Sequence, residues 1–428
     1  MTSPSDVRHS PFSLPRVLLW VAILCMTVSG LVQLRSVARL NPASRPDLYS
    51  PWMGARAVLH GIDPYTPAMT AQIQKDIYGH VLLPAETWDR QAFVYPAYIA
   101  FLLGPFTVLP WKLVSPLFAV LAPLAVGAGV WSWMCFCGTR FGPLTSATVV
   151  ATVVASWPAL WGCYQRQPSL FVIAAIAVAL LLFRQGHDVS AGTLLALATV
   201  KPQLMVLVAV WLLTIAVAHR RWRFVGMFVL TMLILIGGAL LLIPGWIPQW
   251  VHAGAAYAHY PAKIPLLVFL FGRYAGFALL LAAVLLVGVK LWNAGLPAPN
   301  GPDFPRTAAL VLTLTICAMP QNPWLVFNDL LLIPGILVLL GRSSDSSVAR
   351  LLTAVASLAI ALALLATPLC TLLAIHLGPS LNVAMPAFLL NYLLPIPVLA
   401  ALLTVGRIPA DRAAANTNSP LHARPAWL

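Results

Sequence analysis

Hydrophobic runs of about 20 residues, the length that crosses a bilayer as a helix, recur along most of this chain. The first run covers 17–34, and a long polar segment follows at 35–91. Later runs cover 93–109, 113–133, 224–242, 266–291, 308–319, 324–340, 351–373 and 384–405. The pattern predicts an all-α polytopic membrane protein with about ten to twelve transmembrane helices.

Two stretches interrupt this pattern. Between 143 and 183 the polar and proline-containing stretches at 156–158 and 165–168 divide the apolar run, which predicts broken or half-length helices. The run 189–218 is divided by Lys201-Pro202-Gln203. A proline there ends a helix and leaves Lys201 at membrane depth.

The polar segments also carry structure. Within the first of them, 48–60 has apolar residues at helical spacing, with Asp47 at the N-cap position and Gly61 as a stop. This predicts a short amphipathic helix that lies in the membrane interface plane. The segment 244–263 is predicted to be a polar, aromatic loop.

Composition and charge agree with a membrane protein. Hydrophobic residues make up 60% and charged residues 8%, with a mean hydropathy of +0.88. The net charge of +14 comes from cations in short loops, which is typical of membrane topology and argues against nucleic acid as a partner. We predict a cytoplasmic N-terminus (1–16), a membrane-embedded domain (17–405) whose loop 35–91 faces outward, and a disordered cytoplasmic tail (406–428). The orientation of 143–218 stays open.

Cysteines and short motifs give no sign of a cofactor. The six cysteines lie in or beside apolar runs without the spacing of metal ligands. No aspartate stands two residues from another, and no glycine-rich phosphate loop is present. We therefore expect no cofactor and no requirement for a divalent metal.

Acidic residues concentrate in the first outer loop, which holds five of the eleven in the chain: Asp47, Asp63, Asp76, Glu86 and Asp89. A carboxylate that faces water beside the membrane is a candidate general base. For Asp63, which precedes Pro64, a turn role is favoured. Asp76, Glu86 and Asp89 are interpreted as solvated loop charges.

Five stretches in order carry a family resemblance: Asp47-Leu48-Tyr49 with Gly61-Ile62-Asp63-Pro64-Tyr65, Tyr95-Pro96 with Pro105 and Pro110, Arg166-Gln167-Pro168-Ser169, Ala191-Gly192 with Lys201-Pro202, and Phe327-Asn328-Asp329-Leu330. Together they resemble glycosyltransferase family 87, whose G-Q-x-N the third stretch matches in altered form. Arg166 stands where the family has Gly, and Ser169 stands where it has Asn.

The resemblance implies a GT-C-like membrane hexosyltransferase of the cytoplasmic (inner) membrane. It would move a sugar, often mannose, from a polyprenyl-phosphate donor to a lipid or glycan acceptor on the outer face, among membrane lipids. Inverting transfer needs a carboxylate that takes the proton of the acceptor hydroxyl. The resemblance places the family's catalytic carboxylate at Asp47, for which a helix N-cap is the alternative role.

Lys201 and Arg166 are the candidate ligands of the donor phosphate. An ammonium group in the membrane would stabilise the charge that grows on the leaving phosphate. Alternatively, Lys201 reaches the interface or pairs with a carboxylate, and Arg166 is an ordinary loop arginine.

The remaining candidates would bind substrate. Gln167 would hydrogen-bond a sugar hydroxyl or cap a helix. Asp329, beside Asn328, would orient Lys201, bind sugar, or occupy a polar helix end. Tyr49 and Tyr65 belong to the first matching stretch. His252 and His259 are acceptor contacts or solvated interfacial residues.

Two other functions compete with glycosyl transfer. Broken helices and a buried Lys/Asp set also occur in transporters and flippases. A non-catalytic assembly protein with the same fold is the third reading, left open by the altered G-Q-x-N. The long acidic outer loop and the lack of repeated halves favour the transferase.

Overall fold

The computed structural model describes Val28 and residues 45–86, 88–139, 141–258, 264–340, 346–377 and 381–404. Apart from Val28, the predicted first span lies outside these residues, as does the predicted tail. Within them, seven helices are long and apolar enough to cross a membrane, or eight with one bent pair, and three apolar helices are shorter. The described residues form no strand, only an isolated bridge between Ile264 and Gln321. The all-α polytopic prediction is confirmed.

The described helices, in chain order, are α1 Tyr49–Leu59, α2 Pro67–Tyr78, α3 Ile99–Thr107, α4 Trp111–Cys137, α5 Pro143–Val154, α6 Trp157–Gln165, α7 Pro168–Gln185, α8 Asp188–Leu197, α9 Pro202–Ala218, α10 Trp222–Leu242, α11 Trp246–Ala258, α12 Leu266–Phe271, α13 Arg273–Ala294, α14 Phe304–Ala318, α15 Ile333–Leu340, α16 Ser347–Leu377, α17 Leu381–Leu393 and α18 Pro395–Thr404. Two 3₁₀ segments, Ala198–Val200 and Pro323–Leu332, lead into α9 and α15.

Both predicted interruptions are confirmed. Helices α5 and α6 meet at an angle of 57° across Ala155 and Ser156. Between α8 and α9 the chain passes through a 3₁₀ turn to Lys201, whose φ of −120° and ψ of 79° are not helical. Pro202 then opens α9 at its first position, where the missing N–H costs nothing.

Two predicted elements are wrong. The apolar stretch 93–109 is not a span, because only α3, nine residues long, is helical there. At 1.5 Å per residue such a helix falls well short of the roughly 30 Å hydrocarbon core. The predicted loop 244–263 instead contains the 13-residue helix α11. An apolar stretch indicates that its residues avoid water. Here the residues of 93–109 are buried largely against other parts of the protein, so the stretch does not need to span the bilayer.

Glycines allow the closest helix contacts. A Cβ on Gly192 in α8 would lie 2.5 Å from the carbonyl oxygen of Phe224 in α10. A Cβ on Gly54 in α1 would lie 2.0 Å from the ring of Phe93. The predicted short helix is thus present as α1, and most of its residues are buried. It packs into the protein beside α3 and the extended chain around Phe93.

Candidate functional site

A cavity of about 390 Å³, which we call the polar cavity, lies between the loop that holds Asp47 and Asp89, the α6–α7 turn and the break before α9. Helix α11 and residues 319–328 complete its wall. Its charged and polar lining residues are Asp47, Ser50, Asp89, Gln91, Tyr95, Gln167, Lys201, Gln203, Tyr257 and Asn328. The volume is typical of small-molecule sites, which occupy about 300–1,000 Å³. Asp47 and Lys201, which are far apart in the sequence, therefore share one cavity.

Asp47 precedes α1 but does not cap it. Leu48 occupies the N-cap position, and no side chain caps the helix. The Asp47 carboxylate instead accepts a hydrogen bond from the Gln167 amide and another, of 3.4 Å, from the Gln165 amide. The N-cap alternative is therefore wrong, and the carboxylate faces the polar cavity.

Gln167 owes its position to the tight turn between α6 and α7. Arg166 adopts a left-handed conformation with φ +48°. The backbone N–H of Gln167 then returns to the carbonyl of Gly162 at 2.9 Å, as in a Schellman motif. A Cβ on Gly162 would lie 2.8 Å from Leu170 and 3.0 Å from Phe327, so a glycine is needed for the turn to pack.

The two ends of the Gln167 amide contact opposite charges. Its nitrogen donates to the Asp47 carboxylate, and its oxygen accepts from Lys201 Nζ at 3.0 Å. Lys201 Nζ also donates to Ser169 Oγ at 2.7 Å. One side chain thus bridges the candidate base and the candidate phosphate ligand.

Lys201 is only 8% exposed, and the break before α9 turns its side chain into the polar cavity. Its Nζ lies 5.5 Å from the ring centroid of Tyr95 and 5.7 Å from that of Phe327, within the range of cation–π attraction. Among the described residues that line the polar cavity it is the one cation. The ammonium is held by two oxygens and two rings inside the protein, so the snorkelling alternative does not describe it.

The surroundings of Asp47 make its carboxylate a stronger base than usual. Burial, followed by the charge of Asp89, raises the pKa of Asp47 from 3.8 to about 6. The charge of Lys201 and hydrogen bonds from Gln167 and Gln91 oppose that rise. The group is ionised at neutral pH and takes up a proton more readily than an ordinary aspartate.

Sequence reasoning missed Asp89 and Tyr257, which meet across the polar cavity. The Tyr257 hydroxyl lies 2.6 and 2.7 Å from the two carboxylate oxygens of Asp89. Burial and Asp89 raise the pKa of Tyr257 well above its ordinary value, which keeps the hydroxyl protonated and donating. The interpretation of Asp89 as a solvated loop charge is wrong. The outer-loop acid cluster was the available signal, but it did not separate Asp89 from its neighbours.

Gln91 is a further residue that the sequence did not indicate. Its φ is +53°, an uncommon backbone conformation for a residue other than glycine, and its N–H bonds the Asp89 carboxylate at 2.9 Å. Strained backbone of this kind is frequent at functional sites. With the backbone in this conformation, Asp89 and Gln91 both line the polar cavity.

The late motif divides between two environments. Asn328 lines the polar cavity, whereas Asp329 is not part of its lining. Asp329 is 5% exposed, and neither of its carboxylate oxygens has a hydrogen-bond partner among the described residues. Lys201 Nζ donates to Gln167 and Ser169, and among the described residues no donor, Lys201 included, forms a hydrogen bond to the Asp329 carboxylate.

Three other predicted site residues lie outside the polar cavity. The Arg166 guanidinium donates to the carbonyls of Ser115 at 3.2 Å and Tyr164 at 2.8 Å. The Tyr49 hydroxyl donates to Asp76 at 2.8 Å, which ties α1 to α2. The Tyr65 hydroxyl donates to the carbonyl of Tyr95 at 2.7 Å. These bonds are structural, and a substrate or phosphate role for these residues stays a prediction that the geometry does not favour in this cavity.

Other loop residues take up local roles. Asp63 accepts from the N–H of Tyr65 at 2.9 Å, the geometry of the predicted turn. Glu86 pairs with His80 at 3.0 Å on the exposed surface, where the two groups shift each other's pKa towards the charged forms. His252 lines a second cavity, and His259 lies outside the described residues.

No group of three or more His, Cys, Asp or Glu side chains in the described part of the chain is placed to hold a metal ion. Asp47 and Asp89 are the carboxylates that line the polar cavity. The expectation that no metal is required stays a prediction.

Comparison with known proteins gives one match. A family model, glycosyltransferase family 87, matches residues 93–320, which is more than half of the chain. The matched region includes Gln167, Lys201 and most of the wall of the polar cavity, while Asp47 lies ahead of it. No curated protein and no solved structure matches the chain.

Proposed function

The chain belongs to glycosyltransferase family 87, and from this premise we propose the reaction that this membrane glycosyltransferase carries out. It transfers a hexose, with mannose as the first candidate, from polyprenyl phosphate to a hydroxyl of a lipid or glycan acceptor. Asp47 is the general base, and the anomeric configuration inverts. The protein has a GT-C-like arrangement in the cytoplasmic (inner) membrane, with its active site on the outer face.

One observation carries this proposal: Asp47 and Lys201 line one cavity and are bridged by Gln167. Inverting transfer from a lipid phosphate needs a base on one side of the anomeric carbon and a positive charge at the leaving group on the other. A base and a cation in separate compartments would have made this reaction impossible.

In the proposed step, the acceptor oxygen forms a bond to the anomeric carbon while the bond from that carbon to the phosphate oxygen breaks. The acceptor proton passes to Asp47. The bonding electrons leave with polyprenyl phosphate, whose added charge Lys201 stabilises. Because Lys201 is buried beside two aromatic rings, its charge is poorly screened and acts strongly on that phosphate.

Other residues of the polar cavity would bind the sugar or position the two reacting side chains. Asn328 and the pair Asp89–Tyr257 offer donors and acceptors for the hydroxyls of the transferred sugar. Gln167 orients the base and the cation relative to each other. Arg166 has no part in this proposal, because its guanidinium is bonded to carbonyls outside the cavity. The transporter and flippase alternative lacks comparable support, because membership of the family argues for glycosyl transfer.

The test is Asp47→Asn in the purified full-length protein, supplied with radiolabelled polyprenyl-phosphate mannose and a total lipid extract as the source of acceptors. An amide cannot take the proton, so we expect transfer to fall by about 10²–10⁴-fold. Donor binding and thermal stability should be nearly unchanged, since the amide oxygen can still accept from Gln167.

Asp76→Asn is the matched control, because it removes another outer-loop carboxylate that does not line the polar cavity. It should keep wild-type transfer. Wild-type turnover in Asp47→Asn would remove Asp47 as the base. Failure of the wild type with mannose and success with another polyprenyl-phosphate hexose would correct the sugar and keep the mechanism.

A further inference from the structure

A second cavity of about 430 Å³, which we call the side cavity, lies beside the polar cavity on the side of the outer loop. Its wall is formed by part of α2, by α11, and by residues of the chain around them: Asp63, Tyr65, Val81, Arg90, Ala92 and Phe93. It is as large as the polar cavity, and the mechanism described above does not use it.

Helix α11 separates the two cavities. Trp250, Gly254 and Tyr257 lie along one stripe of the helix and line the polar cavity. His252, Ala253 and Ala256 lie along the neighbouring stripe and line the side cavity. At 3.6 residues per turn, adjacent stripes of one helix face different directions, so α11 acts as a shared wall.

The other half of this wall is the chain segment 89–93. Asp89 and Gln91 line the polar cavity, and Arg90 and Phe93 line the side cavity. The left-handed backbone at Gln91 breaks the regular alternation of an extended chain between them. Trp250 and Tyr257 join α11 to this chain, because Trp250 Nε1 donates to the carbonyl of Val94 at 3.0 Å and Tyr257 bonds Asp89.

Ala92 and Tyr257 line both cavities. At Ala92 the wall carries no side chain larger than a methyl group. The two cavities therefore adjoin at Ala92, where the smallest side chain of the shared lining lies.

We propose that the side cavity is the acceptor site and that it binds a carbohydrate, the sugar portion of a glycan or glycolipid, whose reacting hydroxyl passes Ala92 to reach Asp47. This inference rests on the proposed function and adds to it the place and the chemical class of the acceptor. It also assigns the donor to the polar cavity, on the other face of α11.

The side chains that line the side cavity favour a sugar over a phosphate as its ligand. No lysine lines the side cavity among the described residues. Its one arginine, Arg90, already donates to the carbonyls of Leu82 at 3.1 Å and Pro84 at 3.2 Å. The polar cavity holds Lys201, so a phosphate finds its counter-charge there.

What remains in the side cavity suits a polyol. The half-buried ring of Tyr65, which packs on the buried ring of Phe93 with centroids 5.2 Å apart, provides apolar surface for the C–H face of a sugar. Asp63, Thr70 and His252 supply a small number of polar groups around that surface. Largely apolar walls with a few placed polar groups are typical of small-molecule sites.

The experiment compares three neighbouring substitutions on α11. Ala253→Leu places a larger side chain in the side cavity, and Gly254→Leu places one in the polar cavity. Ala255→Leu changes a residue that lines neither cavity. A Cβ on Gly254 meets no atom within 4 Å, so the added side chain enters open space. Full-length protein in a sugar-free detergent is assayed with radiolabelled polyprenyl-phosphate mannose as donor and n-octyl mannoside as acceptor. Transfer, hydrolysis of the donor without acceptor, and donor binding are measured.

We expect Ala253→Leu to raise the KM for octyl mannoside by about tenfold or more while donor binding and hydrolysis remain. Gly254→Leu should weaken donor binding and hydrolysis together, and Ala255→Leu should behave as wild type. His252→Ala, which removes atoms rather than adding them, should raise the same KM and leaves the inference testable if Ala253→Leu does not fold.

Photolabelling gives a readout independent of turnover. A diazirine derivative of octyl mannoside should label α11 and α2 in the wild type, with less labelling in Ala253→Leu. An unchanged KM in Ala253→Leu, labelling confined to the polar cavity, or labelling of the side cavity only by a diazirine fatty acid would each overturn the inference. Failure of the proposed function looks different, because Asp47→Asn would then keep its activity.

Discussion

Two aspartates of this protein are withdrawn from water to different extents and in different surroundings. Asp47 sits at the edge of the polar cavity, where the amides of Gln165 and Gln167 donate to it and the charge of Lys201 is nearby. Asp329 lies within the span 323–340, 5% exposed, and has no hydrogen-bond partner among the described residues. The first carboxylate has partners and space for a reactant, and the second has neither.

The difference shows that burial alone does not identify a catalytic carboxylate. The sequence pointed to Asp47 through the cluster of acids in its loop and the family resemblance, and to Asp329 because an acid among apolar residues is unusual. A base must reach its substrate and change its protonation state during turnover. Asp47 lines the polar cavity, as the proposed base must, and Asp329 lies outside that cavity.

Among the variants that test the contrast between Asp47 and Asp329, removal of the Lys201 charge should have the largest effect. Lys201→Met deletes a buried charge with hydrogen bonds to Gln167 and Ser169, and hydrogen bonds to charged groups are worth about 1.5–3 kcal/mol each. If the donor phosphate takes up such a bond, donor affinity should fall by roughly ten- to a hundredfold. Titration of the purified protein with polyprenyl-phosphate mannose measures this.

Lys75→Met, on the exposed outer loop, is the control and should bind donor like the wild type. Equal donor affinity in Lys201→Met would show that the ammonium is structural. The hydrogen bonds from Gln165 and Gln167 would then be the remaining difference between the surroundings of Asp47 and those of Asp329.

A moderate effect should appear in the pH profile. The base must be ionised, so transfer should be lost as pH falls through the pKa of Asp47, about 6. The charge of Asp89 raises that pKa, so Asp89→Asn should lower it and move the acid limb of kcat/KM to lower pH. Profiles between about pH 4.5 and 8, normalised to their maxima, measure the shift.

Glu86→Gln removes an exposed acid of the same loop and should leave the acid limb in place. An acid limb that does not move in Asp89→Asn, or that moves to higher pH, would show that the rate does not report the protonation of Asp47.

The smallest kinetic effect is expected at Asp329. Asp329→Leu replaces a buried group without hydrogen-bond partners by an apolar side chain, which should stabilise the protein by about 1–3 kcal/mol and leave transfer nearly unchanged. Asn328→Leu, one residue earlier, removes a polar group from the polar cavity and should weaken transfer instead. Thermal denaturation and transfer assays of both variants decide the matter. Loss of transfer in Asp329→Leu with full transfer in Asn328→Leu would reverse the comparison.

Much of the fold could be predicted from the sequence, because lipid demands long apolar helices and proline ends them predictably. The break at Lys201-Pro202 is the clearest case. The extended chain before α3 could not be predicted, since its apolar residues satisfy the same hydropathy pattern as a span. Helix α11 was missed because its aromatic and polar residues resemble those of a loop.

The site was predictable to the extent that its residues belong to recognisable stretches. Asp47, Gln167, Lys201 and Asn328 do, and all line the polar cavity. Asp89 and Tyr257 are 168 positions apart, so their contact leaves no local pattern. An arginine in a membrane suggests a ligand, and the sequence could not show that the Arg166 side chain bonds carbonyls beside the turn.

The amide of Gln167 has one donating end and one accepting end, and its two neighbours require opposite ends. A carboxylate accepts only, but once protonated it also has a hydrogen to donate. When Asp47 receives a proton on the oxygen that faces Gln167, that amide must turn over to accept it, and Lys201 then loses one of its oxygen partners. Protonation of Asp47 would thereby free one N–H of the Lys201 ammonium group through the rotation of the Gln167 side chain.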